Sequence, residues 1–340
     1  MPESVAHEAR TAAAKLTLPE VLERVGPELA EIEARLASLE RPDVPLTAEI
    51  MDHVLALRGK RVRPLLLLLV SRLGKKPDRE GVLWASTVIE LVHTATLLHD
   101  DCIDLTRLRR GLPTVNHRWG QQAAILMGDY LFTKGFDLLS EHGIHAALTL
   151  LTRHTLDMTE GMNREFASRH RADLSEDEYL TIIRQKTGAL FVASCEIGAV
   201  LGGLSEDAAR DVSAFGRDLG LAFQIVDDVI DFTGSPAETG KPTGQDFRLG
   251  FATLPLVYAF ERGDPERADR VAALFSRGDV GDDEWEDSRR FVLASGGVEA
   301  ARERALELAL AARERLAAFD GSDGVAPLLA AVEYVVARGR

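Results

Sequence analysis

Apolar residues return every three or four positions through almost the whole chain, the period of one helical face. Residues 19–39 show it first: Val21, Leu22, Val25, Leu29, Ile32, Leu36 and Leu39 make the stripe, and Pro19 suits a first helical turn. Pro42 and Pro45 interrupt the pattern, which resumes over residues 46–57. A basic turn, Gly59-Lys60-Arg61-Val62-Arg63-Pro64, feeds an intensely apolar helix at 65–73. Pro64 fits its first turn, where a missing N–H costs nothing. Asp78 is placed to cap a long helix that runs to about position 104. Further helices are predicted at 117–142, 144–170, 175–201 and 205–232, with a capping box from Ser175 and Glu178 and an N-cap at Ser205. Residues 233–250 turn to Gly, Pro, Ser and Thr, a loop of the length that is usually functional. Shorter helices fill the remainder, broken at Gly263 and Gly296-Gly297. No stretch alternates as a half-buried strand does. The predicted fold class is all-α: a single-domain helical bundle over residues 16–340, behind a polar, Ala-rich tail at 1–15.

The long helix ends in charge. Residues 89–111 read I-E-L-V-H-T-A-T-L-L-H-D-D-C-I-D-L-T-R-L-R-R-G. On a helix Asp100 and Asp104 share a face one turn apart, with Asp101 beside them. Like charges at that spacing repel, so a helix that keeps them after a buried apolar run needs a cation to offset them. Two carboxylates that leave a hard ion's other positions open match the way Mg²⁺ is usually held. Taken alone, the cluster reads equally as a solvated acidic helix end. A second copy changes the balance: L-G-L-A-F-Q-I-V-D-D-V-I-D at 219–231 delivers Asp227, Asp228 and Asp231 with the same D-D-x-x-D spacing. Facing each other across a bundle, the two trios would wall a space for Mg²⁺ and a diphosphate.

Composition narrows the partners. A chain of 340 residues, 46% of them apolar, can bury a sizeable core. A net charge of -14 sets the molecule as a whole against nucleic acid and anionic membranes, so a phosphate-bearing substrate must be drawn in by local cations or a bridging metal. Cys102 and Cys195 are too few for a disulfide framework, and a reducing, cytoplasmic setting is expected. Residues 1–15 lack the apolar centre of a signal peptide. The run at 65–70, bracketed by Arg63 and Arg72, falls far short of the ~20 residues of a membrane span. No integral membrane segment is expected.

Several unlinked motifs now stand in one order: G-K-R-V-R-P, H-T-A-T-L-L-H-D-D-C-I-D with R-R-G, G-D-Y-L-F, Q-K-T-G, F-Q-I-V-D-D-V-I-D and G-K-P-T-G-Q-D. In these, from about Gly59 to Tyr258, the chain resembles the trans-isoprenyl diphosphate synthases, the polyprenyl synthetase family. The resemblance implies an isoprenoid synthase type I fold, a helical bundle around a deep central cavity, usually a homodimer. It implies a Mg²⁺-dependent prenyltransferase of isoprenoid biosynthesis that joins isopentenyl diphosphate head-to-tail to an allylic diphosphate. By the same resemblance Asp100, Asp104 and Asp227 carry Mg²⁺, with Asp101, Asp228 and Asp231 supporting. Arg109 and Lys186 would hold the allylic diphosphate, and Lys60, Arg63, His93 and Arg110 the isopentenyl diphosphate. Thr187 and Gln224 would line the allylic cation, while Lys241 and Asp246 would close over the metals.

Two departures from the family pattern stand out. Phe251, in G-F-A-T-L-P, replaces a usually basic residue, and M-T-E-G-M-N-R-E at 158–165 is looser than the family's form. Product length is expected to depend on side chains one turn and more before Asp100: Ala95 and Thr96, then Val92 and Val88, with a floor from Phe132 or Phe136. None of the first four is aromatic, as in medium- and long-chain members; a short-chain farnesyl or geranylgeranyl product is the alternative. Three other readings compete. A non-catalytic subunit of a heteromeric synthase would explain Phe251. A terpene cyclase would not need the Lys60–Arg63 turn. A ferritin-like di-metal protein would need a second motif like Glu90-Leu91-Val92-His93.

Overall fold

The structure, a computed structural model, describes residues 17–57, 59–234, 243–319 and 321–338; the predicted tail and Lys241 lie outside the described residues. The predicted helix at 19–39 is two, α1 (Leu18–Arg24) and α2 (Gly26–Ser38). Pro27 explains the break, since its ring excludes the carbonyl four residues back and it has no N–H to give. After α3 (Pro45–Ala56) comes α4 (Val62–Ser71), buried from Pro64 onward. Next is α5 (Arg79–Ile103), whose cap is as expected: Asp78 accepts from the Gly81 N–H at 3.1 Å.

Two short strands that the sequence pattern did not predict follow, β1 (Leu108–Arg109) and β2 (Leu112–Pro113), antiparallel with Arg109 opposite Leu112. Arg110 and Gly111 make the two-residue turn with φ of 53° and 77°. Two consecutive positive φ values are what a type I′ hairpin turn requires. Strands this short carry no alternation, so only the X-Gly turn could have signalled them. The helix predicted at 117–142 is likewise split, into α6 (Val115–Trp119) and α7 (Gln121–Glu141), at Gly120 with φ 89°.

Then come α8 (His145–Ala167) and α9 (Glu176–Ile183), the latter with the expected Ser175–Glu178 capping box. A single wide π-helical turn, Arg184–Gly188, separates α9 from α10 (Ala189–Gly202). The second acidic helix is α11 (Glu206–Thr233), N-capped by Ser205. Within the predicted loop lies a short α12 (Gln245–Leu249). The chain continues as α13 (Leu254–Arg262), α14 (Pro265–Arg277), α15 (Asp282–Ala294), α16 (Gly297–Arg315) and α17 (Val325–Ala337).

Two apolar clusters hold the bundle. One gathers Phe191, Phe215, Leu219, Phe275 and Phe291, the other Leu67, Leu83, Leu91 and Leu131. Both α4 and α10 feed the two at once, Leu66 and Phe191 into the first, Leu67 and Leu190 into the second. Each such fully buried side chain is worth roughly 1.5–3 kcal/mol, so the two helices lock the halves together. The acidic helix α11 packs between α10 and α16, and α5 packs on α7. Helix α5 is long and apolar enough to cross a membrane, but 78% of that window is buried inside the fold. It is a core helix.

Candidate active site

The C-terminal ends of α5 and α11 meet. Asp104 from the first trio and Asp228 from the second line one cleft of about 80 Å³, together with Glu165, Tyr179, Lys186, Gln224, Asp246 and Phe251. Arg63 feels the charges of both Asp100 and Asp227 and so lies within electrostatic reach of both trios. Gln245 closes the gap from α12, donating from Nε2 to Thr106 Oγ1 at 3.3 Å, just beyond the first trio.

Each carboxylate has a different neighbourhood. Asp104 is pushed up to about 6 by burial and by Asp100, Glu165 and Asp101, with Lys186 opposing. Burial also raises Asp227, against the pull of Arg338, whose Nη2 lies 2.7 Å from its Oδ1. Asp228 is buried and raised, although Tyr179 donates its hydroxyl to it at 2.5 Å and Gln224 its amide at 2.7 Å. Asp246 is raised by burial and by Asp231 and Asp228. Asp231 accepts backbone N–H groups from Gly244 at 3.1 Å and Asp246 at 3.4 Å, and so pins the loop to α11. Carboxylates raised together by burial and by one another form a site whose negative charge exceeds its local compensation.

Asp101 is placed differently from its companions. It is buried, and Arg109 grips it through two nitrogens, Nε at 3.0 and 3.1 Å and Nη2 at 2.7 Å. Such a bidentate pair fixes the hairpin to α5 and orients the guanidinium. Asp101 thus serves Arg109 rather than opening onto the cleft.

The basic groups form two sets. Lys186 sits on the π-turn and donates to Glu165 Oε2 at 2.5 Å; the charges of Glu165, Asp100 and Asp104 hold its pKa up despite burial. The turn leaves Thr187 donating its hydroxyl to Gln224 Oε1 at 2.7 Å. On the other side Arg63 is half-buried, its pKa lowered to about 10 by desolvation, and its Nη1 lies 3.1 Å from His93 Nε2. Burial and the positive charges of Arg63, Arg109, Arg110 and Arg61 drive His93 far below its usual pKa. The imidazole is therefore neutral and can accept from Arg63. Arg63 Nε is buried with no partner. Arg110 donates to the Leu57 carbonyl at 3.0 Å, and Lys60 lies 5.7 Å over the Tyr334 ring.

Sequence reasoning missed several residues of the site. Glu165 lay inside the loose 158–165 stretch, and Tyr179 and Arg338 carried no motif at all. Phe251 is buried beside cations, with Arg169 5.3 Å and Lys186 5.9 Å from its ring centre, so positive charge still stands at this wall. Of the positions expected to set product length, Val92 and Ala95 are fully buried and Thr96 donates to the His93 carbonyl at 2.7 Å. Val88 and Val92 face α7 where Gly135 has no side chain, and Phe132, half-buried, stacks on His99 at 5.9 Å.

The donor set of the two trios is all carboxylate oxygen, the chemistry of a hard divalent ion. Among the described residues no three His, Cys, Asp or Glu side chains are gathered closely enough to cage an ion by themselves.

The family model for Polyprenyl synthetase matches residues 44–289. The chain belongs to the polyprenyl synthetase family. It is similar, at 35% identity over 90% of this chain and 92% of the relative, to the nonaprenyl diphosphate synthase of Mycobacterium tuberculosis. The geranylgeranyl diphosphate synthase of Sulfolobus acidocaldarius is 41% identical over 64% of this chain and 68% of that one. Among solved structures, the polyprenyl synthase of Caulobacter crescentus, complexed with calcium and isoprenyl diphosphate, superposes with a TM-score of 0.90 at 32% identity, covering 96% of this chain and 98% of that one. The all-α isoprenoid synthase fold and membership of a prenyltransferase family are thus both established.

Proposed function

We propose that the protein condenses isopentenyl diphosphate head-to-tail with an allylic diphosphate, in a Mg²⁺-dependent reaction, to give an all-trans polyprenyl diphosphate of medium or long chain. The observation that carries this reading is the cleft that takes Asp104 from one acidic helix and Asp228 from the other, with Lys186 lining the same space. Asp100, Asp104 and Asp227 would hold Mg²⁺, which when bound neutralises the diphosphate as it leaves the allylic carbon. Asp228 and Asp231 keep the second helix and the 244–246 segment in place through Tyr179, Gln224 and backbone N–H groups.

Lys186, and Arg109 fixed by Asp101, would receive the allylic diphosphate; donors already oriented for charge that develops in the transition state cost no reorganisation. Arg63 with its unpartnered Nε, neutral His93, Lys60 and Arg110 would receive the isopentenyl diphosphate, where guanidinium forks match phosphate oxygens. The Thr187 hydroxyl, turned by its bond to Gln224, leaves its lone pairs free to face the allylic cation. The released diphosphate would take the final proton, so no side chain is assigned that role.

Ala95 and Thr96 put no aromatic ring beneath Asp100, which supports a product longer than farnesyl. A homodimer is the assembly we expect, and exposed Ile125 and Leu126 on α7 and Leu156 on α8 are the side chains to cover. The test is purified protein incubated with farnesyl diphosphate, radiolabelled isopentenyl diphosphate and Mg²⁺, the product being dephosphorylated and sized. A ladder of prenyl alcohols that depends on isopentenyl diphosphate is expected. No product from the pure protein would favour a non-catalytic subunit, and a product formed without isopentenyl diphosphate a cyclase.

A further inference from the structure

The hairpin beyond the first acidic helix presents leucines to water. Leu105 is 64% exposed, Leu108 53% and Leu112 43%, with Ile103 beside them at the end of α5. Leu105 has φ 50°, a left-handed conformation that is unfavourable for a leucine and that Gly or Asn would adopt more cheaply. An apolar side chain held there without being buried contributes nothing to the packing of this chain. The ribbon itself is firmly built. The Thr114 N–H donates to the Arg107 carbonyl at 3.0 Å, its hydroxyl to the Thr106 carbonyl at 2.6 Å, and Asn116 donates to the carbonyls of Asp101 and Thr106 at 2.9 and 3.0 Å. These leucines are therefore displayed on a rigid support.

Past the first acidic trio the charge along the chain changes sign. In a chain with 54 acidic residues and a net charge of -14, residues 105–128 contain no Asp or Glu while holding Arg107, Arg109, Arg110 and Arg118. Arg109 is committed to Asp101 and Arg118 to Glu49. Arg107 and Arg110 are exposed, and among the described residues Arg107 makes no ion pair. Three leucines on one short ribbon are far less than the roughly 800 Å² per partner of a stable protein interface. Apolar side chains interspersed with cations are instead what a surface of anionic headgroups over acyl chains accepts.

We propose that the 105–112 hairpin is a docking element for an anionic lipid bilayer, with Leu105, Leu108 and Leu112 entering the headgroup boundary and Arg107 against lipid phosphates. The docking needs no catalytic step, although the same hairpin carries Arg109 and Arg110 of the reaction proposed above.

The test is co-sedimentation of the full chain with vesicles of phosphatidylcholine alone and of phosphatidylcholine with phosphatidylglycerol, at low and high salt. Binding is expected only to the phosphatidylglycerol vesicles and to weaken with salt. Arg107→Gln should weaken it about fivefold, the size of one arginine near an anionic surface. Leu105→Ser with Leu112→Ser should weaken it on the order of tenfold or more, with circular dichroism and gel-filtration volume unchanged. Equal binding to neutral vesicles, no binding, or variants that bind like the parent would overturn the assignment. So would a change in oligomeric state in the leucine variant, which would make the hairpin a contact between protein chains.

Discussion

Gly161→Ala changes one hydrogen into a methyl group, yet the structure puts its consequences in the active site. A Cβ at position 161 on α8 would stand 2.4 Å from the Lys186 backbone nitrogen, 2.7 Å from Gln185 Cβ and 2.8 Å from the Gln185 carbonyl carbon. Ordinary contact between such atoms begins about an ångström further out. Two of the three atoms are backbone, so no side chain can rotate away and α8 must separate from the π-turn. Overpacking of this kind costs about 1–3 kcal/mol, equivalent to a fall in Tm of about 2–6 °C. The same displacement carries Lys186 and Thr187, and misplacement by an ångström can cost about 100-fold in rate. Gly26→Ala is the control, because a Cβ there meets nothing within 4 Å. Differential scanning fluorimetry and steady-state kinetics on both variants make the check. If Gly161→Ala kept its kcat within twofold and its Tm within about a degree, the view that this close approach sets the π-turn would be wrong.

Other perturbations address the metals, the tunnel and the pH response. Asp100→Ala and Asp227→Ala should each lower kcat by about 100-fold or more in the condensation assay, and losses of only a few fold would place the ions elsewhere. Thr96→Phe should shorten the product seen after dephosphorylation and chromatography; an unchanged length distribution would reject a tunnel running below Asp100. Asp104, raised from 3.8 to about 6, binds its proton more tightly in the folded than in the unfolded chain. Its contribution therefore makes the metal-free protein lose stability as pH rises from about 4 through about 6. Mg²⁺ should accordingly raise Tm more at pH 7.5 than at pH 5, and EDTA should reverse the gain; an equal shift at both pH values would count against Asp104 as a ligand.

What the sequence disclosed and what it hid differ for physical reasons. The bundle was legible because helical periodicity repeats over many turns, and the two D-D-x-x-D clusters because their spacing is itself the chemistry. The π-turn was not. Its residues Arg184–Gly188 continue an ordinary helical pattern, and only the approach of α8 at Gly161 marks the place. The break at Val25 was written in Pro27 but masked by an apolar stripe that keeps phase across it. Asp101 and Asp104 look alike in sequence. Only the hairpin separates them, by folding Arg109 back onto one of the two. Arg338, on the last described turn, belongs to no motif near Asp227, and nothing local announces that the C-terminal helix returns to the second trio.

The central claim is that the two acidic helix ends act as one site, gripping a diphosphate through divalent ions. Crystals grown with Mn²⁺ and inorganic pyrophosphate, with data collected at the manganese absorption edge, address it most directly. Anomalous peaks at Asp100 and Asp104 and at Asp227, bridged by one pyrophosphate, are the predicted result. Peaks confined to a single trio, or ions and pyrophosphate bound away from the cleft, would contradict it.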